Sequence, residues 1–228
     1  MTRHRVVNLF DVDDIEDVGR VSDMVVAPVS TGDVAEFTRR WHYTGGPGSA
    51  LWRYGLWAGH VLVGVVAYNI PTLRTCASVF GAEHSSEVVH MGRLVCAEHA
   101  PRNSESRLIA ASLKMLAADK PALRAVLTFA AEDAGHIGYV YQATNALYTG
   151  TGGYSKNYVK ADGVSISTNG KCGPDEVARL AATGVTITAA RPKHRYLYLL
   201  GDRRRRRESR ALLKLPVLPY PKPDGDAL

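Results

Sequence analysis

EVVHMGRLVCAEHAPRNSESRLIAASLKMLAADKPALRAVLTFA, residues 87–130, changes its apolar period twice. From 87 to 95 apolar residues alternate, which predicts a strand with Val89, Met91, Arg93 and Val95 on one face. From 103 to 120 the period becomes 3.6. Leu108, Ile109, Leu113 and Leu116 form one stripe behind a polar start, Asn103-Ser104-Glu105-Ser106, which predicts a helix. Residues 125–130 then read as a buried strand. Downstream, Ile137, Val140, Tyr141, Thr144, Leu147 and Tyr148 trace a second helical stripe that stops at Gly150. Upstream, 24–27 reads as a strand running into Pro28. A helix capped by Ser30 and Asp33 follows, carrying Val34, Phe37 and Trp41 until Gly45-Gly46-Pro47 ends it. Residues 51–58 and 61–70 make a hairpin around Gly59-His60. Antiparallel strands first and strand–helix units afterwards give an α/β fold: one mixed sheet of six or seven strands with helices on both faces.

The remaining chain divides by composition. Residues 151–192 are rich in Gly, Ser, Thr and Lys and read as an insertion with a mobile loop and one helix at about 175–182; 194–200 alternates back into a strand. The body is thus 1–201, followed by a basic, Pro-rich tail, 202–228. That tail holds eight of the 28 Lys and Arg residues against four acidic ones, within a net charge of +6. Its run Arg203, Arg204, Arg205, Arg206 and Arg207, then Arg210 and Lys214, suits a row of phosphates and equally a solvated helix. With 46% apolar and 22% charged residues the chain is globular. Cys76, Cys96 and Cys172 are too scattered for a disulfide framework or a thiolate zinc site, and read as reduced cytoplasmic thiols. The longest apolar run, 61–70, is half of what a membrane span needs, so no membrane partner is expected.

The segment TFAAEDAGHIGYVYQATNALYTGTG, residues 128–152, resembles the Mom family, phage Mu-type DNA-modification proteins with a GNAT-like acyltransferase fold. Further matches are Trp41-His42-Tyr43, Gly92-Arg93-Leu94-Val95, Asn103-x-x-Ser106, Lys193-His194-Arg195-Tyr196 and Leu218-Pro219-Tyr220-Pro221-Lys222. The resemblance implies an enzyme of the host cytoplasm that places a carbamoylmethyl group on the exocyclic amine of adenine in duplex DNA, shielding it from restriction. It implies catalytic roles for Asp133, Tyr141, His42 and Tyr43, with Glu132 sharing or taking the role of Asp133. It also implies a donor, acetyl-CoA or another acyl or aminoacyl carrier, held by Arg93, Ser106, Asn103, Arg102 and Tyr54.

The residues themselves support part of this. A GNAT-like site holds the donor's pyrophosphate on free N–H groups where a strand passes into a helix start, here residues 96–106. The turn Glu98-His99-Ala100-Pro101-Arg102-Asn103 lacks the usual glycine, and Glu98 repels phosphate, which leaves Arg102 and Ser106 to bind it. Ser106 is equally a polar first-turn residue. Adenine's amine is a poor nucleophile, so Asp133 is placed to take its proton, and Tyr141 to bond or stack a flipped base unless it is a core aromatic. Arg93 on an apolar strand needs an anionic partner. His42, Asp133 and His136 are the donor types of a non-haem Fe(II) site, though both histidines also suit helix ends. His4, His60, His84, His90, His99 and His194 read as structural or solvated. For DNA, the arginine run with Lys193 and Arg195 supplies charge for the phosphates, with Lys156, Lys160 and Lys171 in reserve. The competing readings are an acyltransferase for a small-molecule or protein amine, and a DNA-binding protein without chemistry.

Overall fold

Residues 61–69 are apolar on both faces, and the chain uses them as an inner strand. The computed structural model describes residues 19–42, 46, 48–130, 137–152, 156–163, 165–166, 174–189 and 193–222. Its strands are β1 (Val25–Pro28), β2 (Trp52–Ala58), β3 (Val61–Asn69), β4 (Val88–Cys96), β5 (Ala125–Ala130), β6 (Leu147–Gly152), β7 (Lys156–Val159), β8 (Ser165–Ile166), β9 (Thr186–Ala189) and β10 (Lys193–Leu199). The helices are α1 (Thr31–Trp41), α2 (Leu73–Phe80), α3 (Ser104–Asp119), α4 (Tyr139–Ala143), α5 (Pro174–Ala182) and α6 (Arg203–Leu212). Ser30, Thr72 and Asp202 cap α1, α2 and α6 by accepting from first-turn N–H groups.

The main sheet has seven strands in the order β1-β2-β3-β4-β5-β10-β6. All neighbours are antiparallel except β4 and β5, which run parallel over Val88–His90 and Ala125–Leu127. Alternation along β3 sends Val66 and Tyr68 to Leu108 and Ile109 of α3, and Val65 and Ala67 to Phe37 of α1. Along β5, Val126 joins the α3 side while Ala125 and Leu127 meet Cys76, Val79 and Phe80 of α2. Helices therefore cover both faces, as expected. Tyr68, fully buried, brings its hydroxyl 2.7 Å from Ser112 on α3, satisfying two polar atoms inside this core. Among the described residues no helix is long and apolar enough to cross a membrane.

Three expectations need correction. Val89, Met91, Arg93 and Val95 do not share a face. Opposite the Ala67/Tyr68 step of β3 the register slips by one residue, so Val89 and Met91 face α3 and Val95 faces α1. The helical stripe 137–148 is a five-residue α4 followed by β6. Asn145 turns the chain with a left-handed φ of 62°, and Tyr148 then pairs with Tyr196 of β10. The insertion carries α5 as expected, but also a second sheet, β8-β7-β9, and it begins only after β6 has run to Gly152.

The parallel pair is fastened at its start. Arg124 N donates to Glu87 O at 2.8 Å, and the Arg124 guanidinium donates to the Glu87 carboxylate, which also lies 3.0 Å from His84 Nδ1. Burial works to raise the Glu87 carboxyl, but the bonds from His84 and Arg124 outweigh it and hold it below the usual carboxylate range. A depressed folded value stabilises above the unfolded value of about 4.3 and ceases to do so as pH falls through the folded one. Urea unfolding of wild type and Glu87→Gln should therefore differ most at neutral pH and converge below about pH 4. A gap that stayed constant on acidification would contradict this account.

The tail is packed on the body. In α6, Arg205 Nη2 donates to Ala122 O at 2.9 Å and Ser209 is fully buried. Beyond it, Lys214 N donates to Val79 O, Leu218 N to Tyr148 O, and Tyr220 Oη to Ala146 O, all at 2.9 Å.

Candidate active site

Beyond His90 and Leu127 the parallel strands part. Thr128 Oγ1 still donates to Met91 O at 3.3 Å, and past that point β4 swings away at its bulge. Gly92 permits the bend, since a Cβ there would lie 2.8 Å from the Asn69 amide nitrogen. The gap is a cleft of about 480 Å³. Its walls are residues 90–96 of β4, Phe129 and Ala130 of β5, residues 138–141, Lys193, Glu105 at the start of α3, and Trp41 and His42 at the end of α1.

Of the residues expected at the site, His42, Arg93, Tyr141 and Lys193 line this cleft. Arg93 donates to Gly46 O at 2.8 Å and Gly92 O at 2.6 Å, so it grips the chain that follows α1 as well as offering charge. Tyr141 is half-buried, its ring 5.4 Å from that of Tyr196. Asn103 takes φ 73°, the left-handed conformation that glycine would otherwise supply in this turn. In the first turn of α3, Ser104 N and Arg107 N are bonded to Pro101 O and Asn103 O; among the described residues no backbone carbonyl claims those of Glu105 and Ser106. Ser106 is half-buried and Arg102 exposed. These groups fit an anionic donor, whose pyrophosphate would lie on the helix start.

Tyr54 is not brought to the cleft. It is buried, and its hydroxyl donates to Asp119 at the last residue of α3, about 24 Å along the helix from its start. Tyr43, Glu132, Asp133 and His136 lie outside the described residues. Among the described residues no group of three His, Cys, Asp or Glu side chains can hold a metal; of the expected iron ligands only His42 is among them.

The wall that carries Tyr141 is set by Tyr196, whose hydroxyl donates to Ile137 O and accepts from Gln142 Nε2 at 3.1 Å. Burial pushes that hydroxyl up to about 12. Gly138 lies against the ring with φ 81°, and a Cβ there would collide with Tyr196 Cε2. Gly138→Ala combines about 1–2 kcal/mol of left-handed backbone cost with about 1–3 kcal/mol of overpacking. The melting temperature should fall by several degrees; an unchanged one would show that the wall yields.

The basic residues divide by role. Arg195 is turned into the sheet, donating to Thr149 Oγ1 at 2.9 Å and Thr149 O at 2.7 Å. Arg205 ties α6 to the body. Arg203, Arg204, Arg206, Arg207 and Arg210 instead line a groove of about 1350 Å³ with Lys114 of α3 and the end of β10. Helix α3 contributes to both, Glu105 to the cleft and Lys114 to the groove, while α4 gives Tyr141 to the cleft and Thr144, just past its end, lines the groove. Reading by spacing missed His90 and Glu105 in the cleft, because no motif marks them. His90 is held neutral, its pKa pushed down to about 4 by burial and by Arg93 and Lys193.

A mixed sheet that opens between two parallel strands, with the polar start of a helix at the opening, defines this as a GNAT-like α/β protein. The chain belongs to the Mom protein family, whose model matches residues 23–222. It is 28% identical over 174 residues to the methylcarbamoylase Mom of Escherichia phage Mu, covering 74% of this chain and 70% of that protein. Among solved structures it is similar to the spermidine/spermine N-acetyltransferase SpeG of Vibrio cholerae, at 13% identity, 78% and 94% coverage and a TM-score of 0.44. The ribosomal-protein-S18-alanine N-acetyltransferase of Escherichia coli aligns at 8% identity, 78% and 95% coverage and a TM-score of 0.45.

Proposed function

We propose that this protein transfers a carbamoylmethyl group to the exocyclic amine of adenine in DNA and thereby protects the DNA from restriction. The observation that carries the reading is the pairing, along α3 and α4 of a Mom family chain, of a cleft that opens beside a helix start with a groove lined by five arginines and a lysine. The groove suits phosphates, which position a duplex without reading it. Adenine's amine is out of reach within the base stack, so the nucleotide must be flipped into the cleft, where Tyr141, one of its lining residues, is proposed to stack on it or bond it.

Asp133 lies between Ala130 and Gly138, both of which line the cleft, and is proposed as the base that takes the amine proton. His42, just past the end of α1, and Tyr43, next to it in the sequence, are proposed to border the reacting base. Ser106 and Asn103 at the α3 start, with Arg93 and Arg102, are proposed to hold the donor, as the unclaimed N–H groups there favour an anion. An acyl-CoA bound there would supply a thioester-activated carbon. Acyl transfer, acetyl or aminoacyl, gives an amide, whereas the carbamoylmethyl group joins nitrogen through a methylene carbon, so a donor attacked at a methylene carbon that bears a leaving group, or a second step, is needed.

The test is direct. DNA from a bacterial host expressing the chain is digested to nucleosides and weighed by mass spectrometry. A carbamoylmethylated deoxyadenosine is expected, together with resistance of the DNA to restriction enzymes whose sites contain adenine. Unmodified adenine alongside a newly acylated small amine or protein would replace this reading with that of an ordinary acyltransferase.

A further inference from the structure

His90 is the last residue of β4 paired with β5, at the point where the two strands part, and it is one of the residues that line the cleft. Its protonation pattern follows from its partners. The Asn69 amide nitrogen donates to Ser49 O at 3.0 Å, which fixes the orientation of that amide, and Asn69 Oδ1 then lies 3.1 Å from His90 Nδ1. A carbonyl oxygen only accepts, so Nδ1 carries the proton and Nε2 keeps its lone pair. Nε2 makes no hydrogen bond among the described residues. Phe129 meets the ring edge-on at 5.6 Å and holds it in place. Among the described residues the charged groups lining the cleft are Arg93 on the same strand, Lys193 on β10 and Glu105 on α3, with the titratable His42 just past α1. The two nearest in effect, Arg93 and Lys193, are cationic and oppose a second positive charge on the imidazole.

We infer that His90 Nε2 is the acceptor for an N–H of the amine being modified, and that Asn69 is the positioning residue that keeps this nitrogen unprotonated. A neutral imidazole nitrogen accepts one N–H of an aromatic amine and so fixes the direction of the amine's own lone pair. An alkylammonium in the same place would meet the repulsion of Arg93 and Lys193, which favours a neutral amine such as that of adenine. The inference rests on the function proposed above but has a readout independent of turnover.

Nitrogen-15 NMR of the imidazole should show the Nδ1–H tautomer. The Nε2 resonance should move on adding a short adenine-containing oligonucleotide, and stay still with one whose purine lacks the amine. Equal responses to both, or none, would overturn the inference whether or not modification is detected. In the nucleoside assay, His90→Asn keeps a donor for Asn69 but has no acceptor atom at the place of Nε2, and should lower kcat/KM for DNA about a hundredfold with the donor KM unchanged. Asn69→Asp sets a carboxylate beside Nδ1 and should move the acid limb of the rate profile upward, toward about pH 6.5. If wild type modifies adenine while His90→Asn matches it, only the role of His90 fails. If wild type leaves adenine unmodified, the functional reading fails and the NMR comparison still decides what His90 binds.

Discussion

A host expressing the Asp133→Ala variant should contain no detectable carbamoylmethylated deoxyadenosine, the rate falling on the order of a hundredfold to ten-thousandfold, the contribution usual for a positioned base. The amine lone pair of adenine is delocalised into the ring. Attack on carbon therefore builds positive charge on nitrogen, which only loss of a proton relieves. The six residues 131–136 connect Ala130 to Ile137, and the ends of this stretch are held at the cleft by Ala130 in β5 and by Gly138 against Tyr196. Glu132→Ala is the matched control and should keep most of the activity. If the two variants exchange behaviour, Glu132 is the base; if both modify DNA at the wild-type rate, the base is not in this segment.

Replacing Arg203, Arg204, Arg206 and Arg207 together by alanine should weaken binding to duplex DNA on the order of a thousandfold at 0.1 M salt, and equally on all sequences. The slope of log affinity against log salt should flatten by roughly one unit for each phosphate that is no longer neutralised. All four line the groove beside α3. Arg205 is left out for a physical reason: its guanidinium donates to Ala122 O and its side chain lies against Gly201, so Arg205→Ala should lower stability while the salt slope persists. A slope unchanged by the fourfold variant would make the arginine face a solvated surface.

The positions of β4, α3 and β5 in 87–130 were legible because α3 buries one stripe at helical spacing between two short apolar runs, although the bulge at Gly92 keeps β4 from burying a single regular face. The order of the sheet was not legible. It depends on β10 inserting between β5 and β6, a long-range pairing that no local period encodes. The same limit explains 137–148, where Val140, Tyr141 and Thr144 satisfy a helix while Leu147 and Tyr148 are claimed by β10. α2 went unread because LRTCASVF is only two turns long and hides its single apolar face in a short run. The resemblance pointed to Arg93 and Tyr141, which do meet at one cleft, and to Tyr54, which serves the core instead. His90 depends on Asn69 twenty-one residues away, and a run of five identical arginines cannot announce which one turns inward.

The late position of β10 has a consequence during synthesis. While the ribosome adds the roughly sixty residues between β5 and β10, at about 5–20 residues per second, β5 has emerged with one edge lacking its final neighbour. That edge belongs to Ala125–Ala130, an apolar strand buried along nearly its whole length in the finished protein, and it stays open for several seconds on each nascent chain. Slower growth and lower temperature, which reduce the number of such chains present together, should raise the yield of folded protein more than any change to the surface of the finished fold.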